Sequence, residues 1–262
     1  MHTDDAGSVQ GQFFDRPHLE KLAPSGGSEP RVAGSVGAAV QAFIFDMDGT
    51  MIDSMPHHTS TWLDFSQKHG VDMDIDDLMH RTTGRTGLEC VRLILDQPHM
   101  DEARARALLF DKEQLYRDIF GPIFKEVAGF STFYAATRAR GLKVGVGTAG
   151  DIHNVDFALG HLKMNPLPDA IARGDEGLPG KPEPAIFLEA AKRMNTGTSG
   201  CIVFEDAPFG IEAARRAGMR AVAICTSYSP SELSGPHVVA HAANYLELMN
   251  SNFLENLNVV IS

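Results

Sequence analysis

Four short, nearly unbroken apolar runs constrain this chain more than any other feature. They head the segment AFIFDMDGT after Gln41, fill LKVGVGT at 142–148 and CIVFED at 201–206, and recur as AVAIC at 221–225. A strand covered on one face alternates apolar and polar residues. A strand buried on both faces does not, and parallel sheets flanked by helices need the second kind. Helical patterns separate the last three runs. Phe130, Phe133, Tyr134 and Thr137 share one helical face that Gly141 ends, and Pro184 opens a helix bearing Ile186, Phe187, Ala190 and Met194. A further helix over 208–217 stops at Gly218. Strand and helix in repeated order imply a doubly wound parallel sheet, an α/β Rossmann-like core.

The first run stands apart from the others. From Pro56 to Phe124 the pattern is helical throughout. Pro56 suits a first helical turn and Gly70 the C-terminal end of that helix. Thr86 and Glu89 have capping-box spacing ahead of Val91–Leu95. A helix over about 101–120 places Leu108, Leu115, Tyr116 and Ile119 on one face. The expected organisation is therefore a core of residues 41–55 and 125–262, with an all-helical cap, 56–124, inserted after the first strand. Residues 1–40, rich in Gly, Ser and Pro, are expected to be a flexible N-terminal extension.

Bulk properties exclude some functions. A formal net charge of -11 over 262 residues argues against a nucleic-acid or anionic-membrane surface, because phosphate backbones are bound by Lys and Arg. The polar, acidic N-terminus is unlike a signal or transit peptide, no run reaches the length of a membrane span, and Cys90, Cys201 and Cys225 form no C-x-x-C pair. A cytoplasmic enzyme, monomer or weak homodimer, is expected.

In doubly wound sheets, sites form at the carboxyl ends of the strands. Those ends carry Asp46 and Asp48, then Thr148, then Glu205 and Asp206, with Lys181 just before another helix. Carboxylates gathered in one place repel, and a hard cation offsets the repulsion; oxygen-only donors favour Mg²⁺. A phosphate can then join the cluster, with Thr148 donating a hydrogen bond and Lys181 supplying charge. A carboxylate in line with phosphorus acts as a nucleophile, and a second, two residues on, can exchange protons with the leaving and attacking oxygens. Taken singly, each residue has a plainer reading as a cap, a turn residue or solvated surface. Their joint order at the ends of one sheet favours chemistry.

The run FDMDGTMIDS resembles the signature of the haloacid dehalogenase superfamily, and GTAG, GKPEPAIF and VFEDAPFGIEAARRAGM resemble its later motifs in order, over roughly residues 41–225. The resemblance implies phosphoryl transfer through an aspartyl-phosphate. Asp46 is then the nucleophile and a metal ligand, and Asp48 the general acid/base that lends its backbone carbonyl to Mg²⁺. Thr148 and Lys181 bind the phosphoryl group, Asp206 is a metal ligand, and Glu205 is a direct or outer-shell helper. Gly150 departs from relatives that often carry Ser or Asn there. Asp48 departs from the dehalogenating branch, which points to phosphate chemistry.

The cap should select the substrate, a small phosphorylated metabolite. Lys112 falls in the apolar stripe of its helix, where a Lys can equally snorkel to solvent or serve the site. His58 shares a face with Trp62 and Phe65, and Arg81 and Arg85 flank a Gly-containing loop. Within the superfamily, the cap resembles the beta-phosphoglucomutase and sugar-phosphatase group. His58, ten residues after Asp48, and Lys112, four before Tyr116, match the cap-hinge His and cap Lys of beta-phosphoglucomutase. Gly87 stands where the mutase has a substrate-binding Arg, a role that Arg85 would have to fill. A phosphatase of sugar or polyol phosphates is the first expectation and a sugar-phosphate mutase the second. A non-catalytic binding module is a remote third, since it would have lost Asp46 or Asp48.

Overall fold

The structure is a computed structural model that describes residues 39–82 and 85–258; most of the N-terminal extension expected above lies outside them. Six strands, β1 (Ala42–Phe45), β2 (Lys143–Thr148), β3 (Ala170–Arg173), β4 (Cys201–Glu205), β5 (Arg220–Ile224) and β6 (Val238–Ala242), form one sheet in the order β3-β2-β1-β4-β5-β6. Every neighbouring pair is parallel. This is the expected doubly wound Rossmann-like sheet. β1 sits at its centre, paired with β2 on one side and β4 on the other.

Both faces of β1 are buried, as its unbroken apolar sequence requires. Phe43 and Phe45 point into one core with Val144, Val146, Ile202 and Phe204, while Ala42 and Ile44 point into the other with Val203, Ala221 and Phe187. Helices α5 (Phe130–Ala139), α6 (Ile152–Leu162) and α9 (Tyr245–Asn250) cover the first face. The second is covered by α7 (Ala185–Arg193) and α8 (Pro208–Arg216).

Helices α1 (Met55–Lys68), α2 (Ile75–Thr82), α3 (Gly87–Ile94) and α4 (Glu102–Phe120) make a separate helical layer between β1 and β2 in sequence. Its own core comprises Trp62, Phe65, Leu78, Cys90, Val91, Ile94, Met100 and Ala105. The capping box at α3 forms as expected: Thr86 Oγ1 accepts from the Glu89 N–H, and Glu89 Oε2 accepts from the Thr86 N–H. The α4 stripe differs from expectation. Leu115 and Ile119 are exposed, and the buried face runs through Ala105, Lys112, Glu113, Tyr116 and Phe120. Two charged side chains lie in the buried stripe because both have buried partners: Lys112 meets His58 and Glu113 within the helical layer, and Glu113 also meets Asn154 of α6. Among the described residues, no helix is long and apolar enough to cross a membrane.

Candidate active site

The turn after β1 builds the floor of the site. Asp46 directly follows the strand, and its N–H bonds the Phe204 carbonyl of the neighbouring β4. Gly49 takes φ +74°, a left-handed conformation that glycine adopts without steric cost. A Cβ at Gly49 would lie 2.6 Å from Asp206 Cγ and closer still to its Oδ2. The turn therefore passes directly against the carboxylate at the end of β4, and a side chain at 49 would push the two apart.

Lys181 Nζ donates to Asp46 Oδ1 at 2.5 Å and to Glu205 Oε1 at 2.7 Å. All three groups are buried. Burial pushes the Asp46 carboxyl up to about 7 against the pull of Lys181. Burial alone would lower the Lys181 ammonium, but Asp46 and Glu205 more than offset that and hold it above its ordinary value. The second Glu205 oxygen accepts from the Ala207 N–H at 2.7 Å. Both carboxylate oxygens of Glu205 are thus engaged.

Asp206 is held by Ser227 Oγ at 2.5 Å on Oδ2 and by Thr50 Oγ1 at 3.4 Å on Oδ1. Burial, with Glu205 and Asp46 nearby, pushes its carboxyl well above the usual range. At the end of β2, Thr148 Oγ1 accepts from the Gly150 N–H at 3.0 Å. That acceptance leaves the hydroxyl proton available to donate to a ligand.

Asp48 faces the helical layer. Its Oδ1 accepts from Ser54 Oγ at 2.7 Å and bonds His58 Nε2 at 3.1 Å. Lys112 Nζ lies 2.9 Å from His58 Nδ1. An ammonium has donors only, so Nδ1 accepts; the imidazole proton then sits on Nε2 and is donated to Asp48. The His58 ring stacks on Tyr116 with centroids 3.8 Å apart. Burial would raise Asp48, but His58, Ser54 and Lys112 hold its carboxyl below the usual value. The Lys112 side chain is wholly buried rather than snorkelling; it lies 4.4 Å from the Trp62 ring centroid and donates to Glu113 Oε1 at 2.9 Å.

One cavity of about 360 Å³ lies between the helical layer and the sheet, lined by Asp46, Asp48, His58, Thr148, Lys181 and Asp206 among others. Arg85 and Gly87 line it too, on the helical side. Arg81 is instead tied to Asp77 along α2, and Gly84 of the loop between the two arginines lies outside the described residues. The polar residues expected from the strand ends therefore converge, and His58 and Lys112 join them. Sequence reasoning did not find Ser54, Thr50, Ser227, Glu113 or Asn154. The charge at 113 within a buried helical stripe was the one signal that could have pointed to a buried partner.

Residues 40–218 match the haloacid dehalogenase-like hydrolase family, and the chain belongs to it. The chain is an enzyme of that family, a phosphohydrolase or phosphomutase. It is 33% identical over 180 residues to the fructose-1-phosphate phosphatase YqaB of Escherichia coli, covering 68% of this chain and 93% of that protein. It is 28% identical over 204 residues to (DL)-glycerol-3-phosphatase 2 of Arabidopsis thaliana, covering 75% and 84% respectively. Among solved structures, a beta-phosphoglucomutase from Clostridium difficile superposes with a TM-score of 0.72 at 25% identity, over 82% of this chain and 96% of that one.

Proposed function

We propose that this protein is a Mg²⁺-dependent phosphatase of a small sugar or polyol phosphate, working through an aspartyl-phosphate on Asp46. The helical residues 56–124 act as a cap over a core of 41–55 and 125–262. The observation that carries this reading is the cavity floor: a buried carboxylate nucleophile bonded to Lys181, with Thr148, Asp48 and Asp206 around it. The phosphatase and polyol-phosphatase relatives support the substrate class.

The donor set fits Mg²⁺. Among the described residues, no three His, Cys, Asp or Glu side chains are grouped as a metal cluster. The proposed set is smaller: the carboxylates of Asp46 and Asp206 with the backbone carbonyl of Asp48, all hard oxygens. Asp46, Glu205 and Asp206 lie around a single Lys, and burial first, then the neighbouring carboxylates, raises the Asp46 and Asp206 carboxyls. Bound Mg²⁺ would offset the charge of these carboxylates and of the phosphoryl group.

In the first half-reaction, the Asp46 carboxylate attacks phosphorus while Thr148 and Lys181 hold the equatorial oxygens. Asp48, ionised in the substrate-free site, takes up the proton that a monoanionic phosphate ester carries in and passes it to the departing alkoxide. In the second half, Asp48 takes a proton from water, which attacks the phosphoaspartate and frees phosphate. His58, kept in one tautomer by Lys112, orients Asp48 throughout. Glu205 holds Lys181 in place from behind.

Gly87 favours water as the acceptor over a second sugar hydroxyl. A Cβ there would lie 2.7 Å from both Leu109 methyl carbons. Leu109 thus fills the space from which an Arg at 87 would reach a bulky phosphorylated acceptor. The reading predicts that Asp46→Asn abolishes phosphate release from an aryl phosphate and that EDTA does so reversibly. Turnover surviving either treatment would sink it. Free phosphate, rather than an isomerised sugar phosphate, is the expected product in a screen of phosphorylated sugars and polyols.

A further inference from the structure

A second polar chain crosses the boundary between α4 and the core, and the reaction above uses only one end of it. Asn154 lies on α6, six residues beyond Thr148, and is 2% exposed. Its Nδ2 donates to Glu113 Oε2 at 2.8 Å, and its Oδ1 accepts from Arg117 Nη1 at 2.7 Å. Glu113 and Arg117 lie one turn apart on α4. Through Oε1, Glu113 also accepts from Lys112 Nζ, which donates in turn to His58, and His58 to Asp48. An unbroken series of side-chain hydrogen bonds therefore leaves the core at α6, runs through the cap helix and returns to the core at Asp48.

We propose that Asn154 is a positioning residue that latches the cap closed, and that this latch sets Lys112 and His58 against Asp48. Burial explains why the bond has leverage. Glu113 is a buried carboxylate whose two oxygens are met by one group of its own helix and one group of the core. A closed cap without Asn154 would leave Oε2 unsatisfied, which costs far more than a surface hydrogen bond contributes. Opening the cap returns Glu113 to water. Asn154 thus favours the closed form specifically, where an ordinary core contact would stabilise both forms. Because α6 begins just after the Thr148 loop, the latch couples the phosphate-binding loop to the acid/base residue. The role assigned to Asp48 rests on the function proposed above; the latch itself does not.

Asn154→Asp tests the latch, because it sets a second carboxylate against Glu113. In the substrate-free protein, acrylamide quenching of Trp62 should rise. That residue is the chain's only tryptophan, lines the cavity and is 7% exposed. With an aryl phosphate, kcat should fall about tenfold or more, the loss expected for one charged hydrogen bond, and KM should change much less. Adding Glu113→Gln restores the pairing with donor and acceptor exchanged. The new amide donates to the aspartate, which still accepts from Arg117, while the amide carbonyl still accepts from Lys112. Both quenching and kcat should then return towards the parent. If Asn154→Asp does not fold alone, the double variant is compared with Asn154→Ala, which breaks the latch without adding charge. Unchanged quenching in the single variant, or a double variant no better than the single, overturns the proposal. If no phosphate ester is turned over by the parent, the quenching arm still decides the latch while the phosphatase reading falls.

Discussion

Replacing Gly210 with Ala should destabilise this protein, although the same change in most helices does the reverse. Gly210 is the third residue of α8. Helix propensity alone predicts a gain of up to about 1 kcal/mol for Gly→Ala. Here the added Cβ would fall 2.5 Å from Glu205 Cγ and closer still to its Cδ and Oε1. Glu205 is 1% exposed, and moving away from that Cβ would strain or break its bonds to Lys181 and the Ala207 N–H. Hydrogen bonds to charged groups contribute about 1.5–3 kcal/mol each, and an unpaired buried partner costs as much again. Losing one or both bonds outweighs the propensity gain, for a net loss of about 2–5 kcal/mol. For a domain of this size that is a fall of about 5–15 °C in Tm. Activity should fall with it, since Lys181 then leans on Asp46 alone. The matched control is Gly160→Ala in α6, where nothing lies within 4 Å of the added Cβ; it should raise Tm by about 2–4 °C. Differential scanning calorimetry of both variants reads the comparison. A Gly210→Ala protein as stable as Gly160→Ala would refute the close approach of α8 to Glu205.

Thr86→Ala removes the N-cap of α3 and one half of its capping box, so urea unfolding should show a loss of about 1 kcal/mol. Glu113 gives a pH signature. Burial would raise its carboxyl, but Lys112, His58 and Asn154 hold it below the ordinary 4.5. A carboxylate lowered on folding contributes stability that is complete above its unfolded value and lost as pH falls through the lower folded one. The Tm advantage of the parent over Glu113→Gln should therefore be flat above about pH 4.5 and shrink below it. An advantage that grew on acidification would contradict the assignment.

The parts of this protein legible from sequence are those set by neighbours in the chain. β1, β2, β4 and β5 were visible because strands buried on both faces are apolar without interruption. The carboxylates at their ends were visible because a parallel sheet brings all its carboxyl ends to one edge. The cap of α3 was visible because a capping box is completed within four residues. β3 and β6 were not visible. They are the two edge strands: β3 alternates buried and half-buried residues, β6 buries only Ala242, and their apolar runs, Ala170–Ala172 and Val238–Ala240, stop at three residues. The α4 stripe misled for a related reason. Periodicity reports which residues share a face but not which face the core takes, and here it took the face with Lys112 and Glu113 rather than the one with Leu115 and Ile119.

By itself, then, the sequence determined the central strands of the sheet and the carboxylates Asp46 and Asp48 at the end of β1, for which the nucleophile and acid/base roles are proposed, because each is encoded over a few adjacent residues. Only the tertiary structure decided what holds those groups in place. Ser227 reaches Asp206 across 21 positions and Asn154 reaches Glu113 across 41. Partners so far apart leave no periodic trace, since nothing but the packing of α6 against α4, and of the loop after β5 against the end of β4, brings them together.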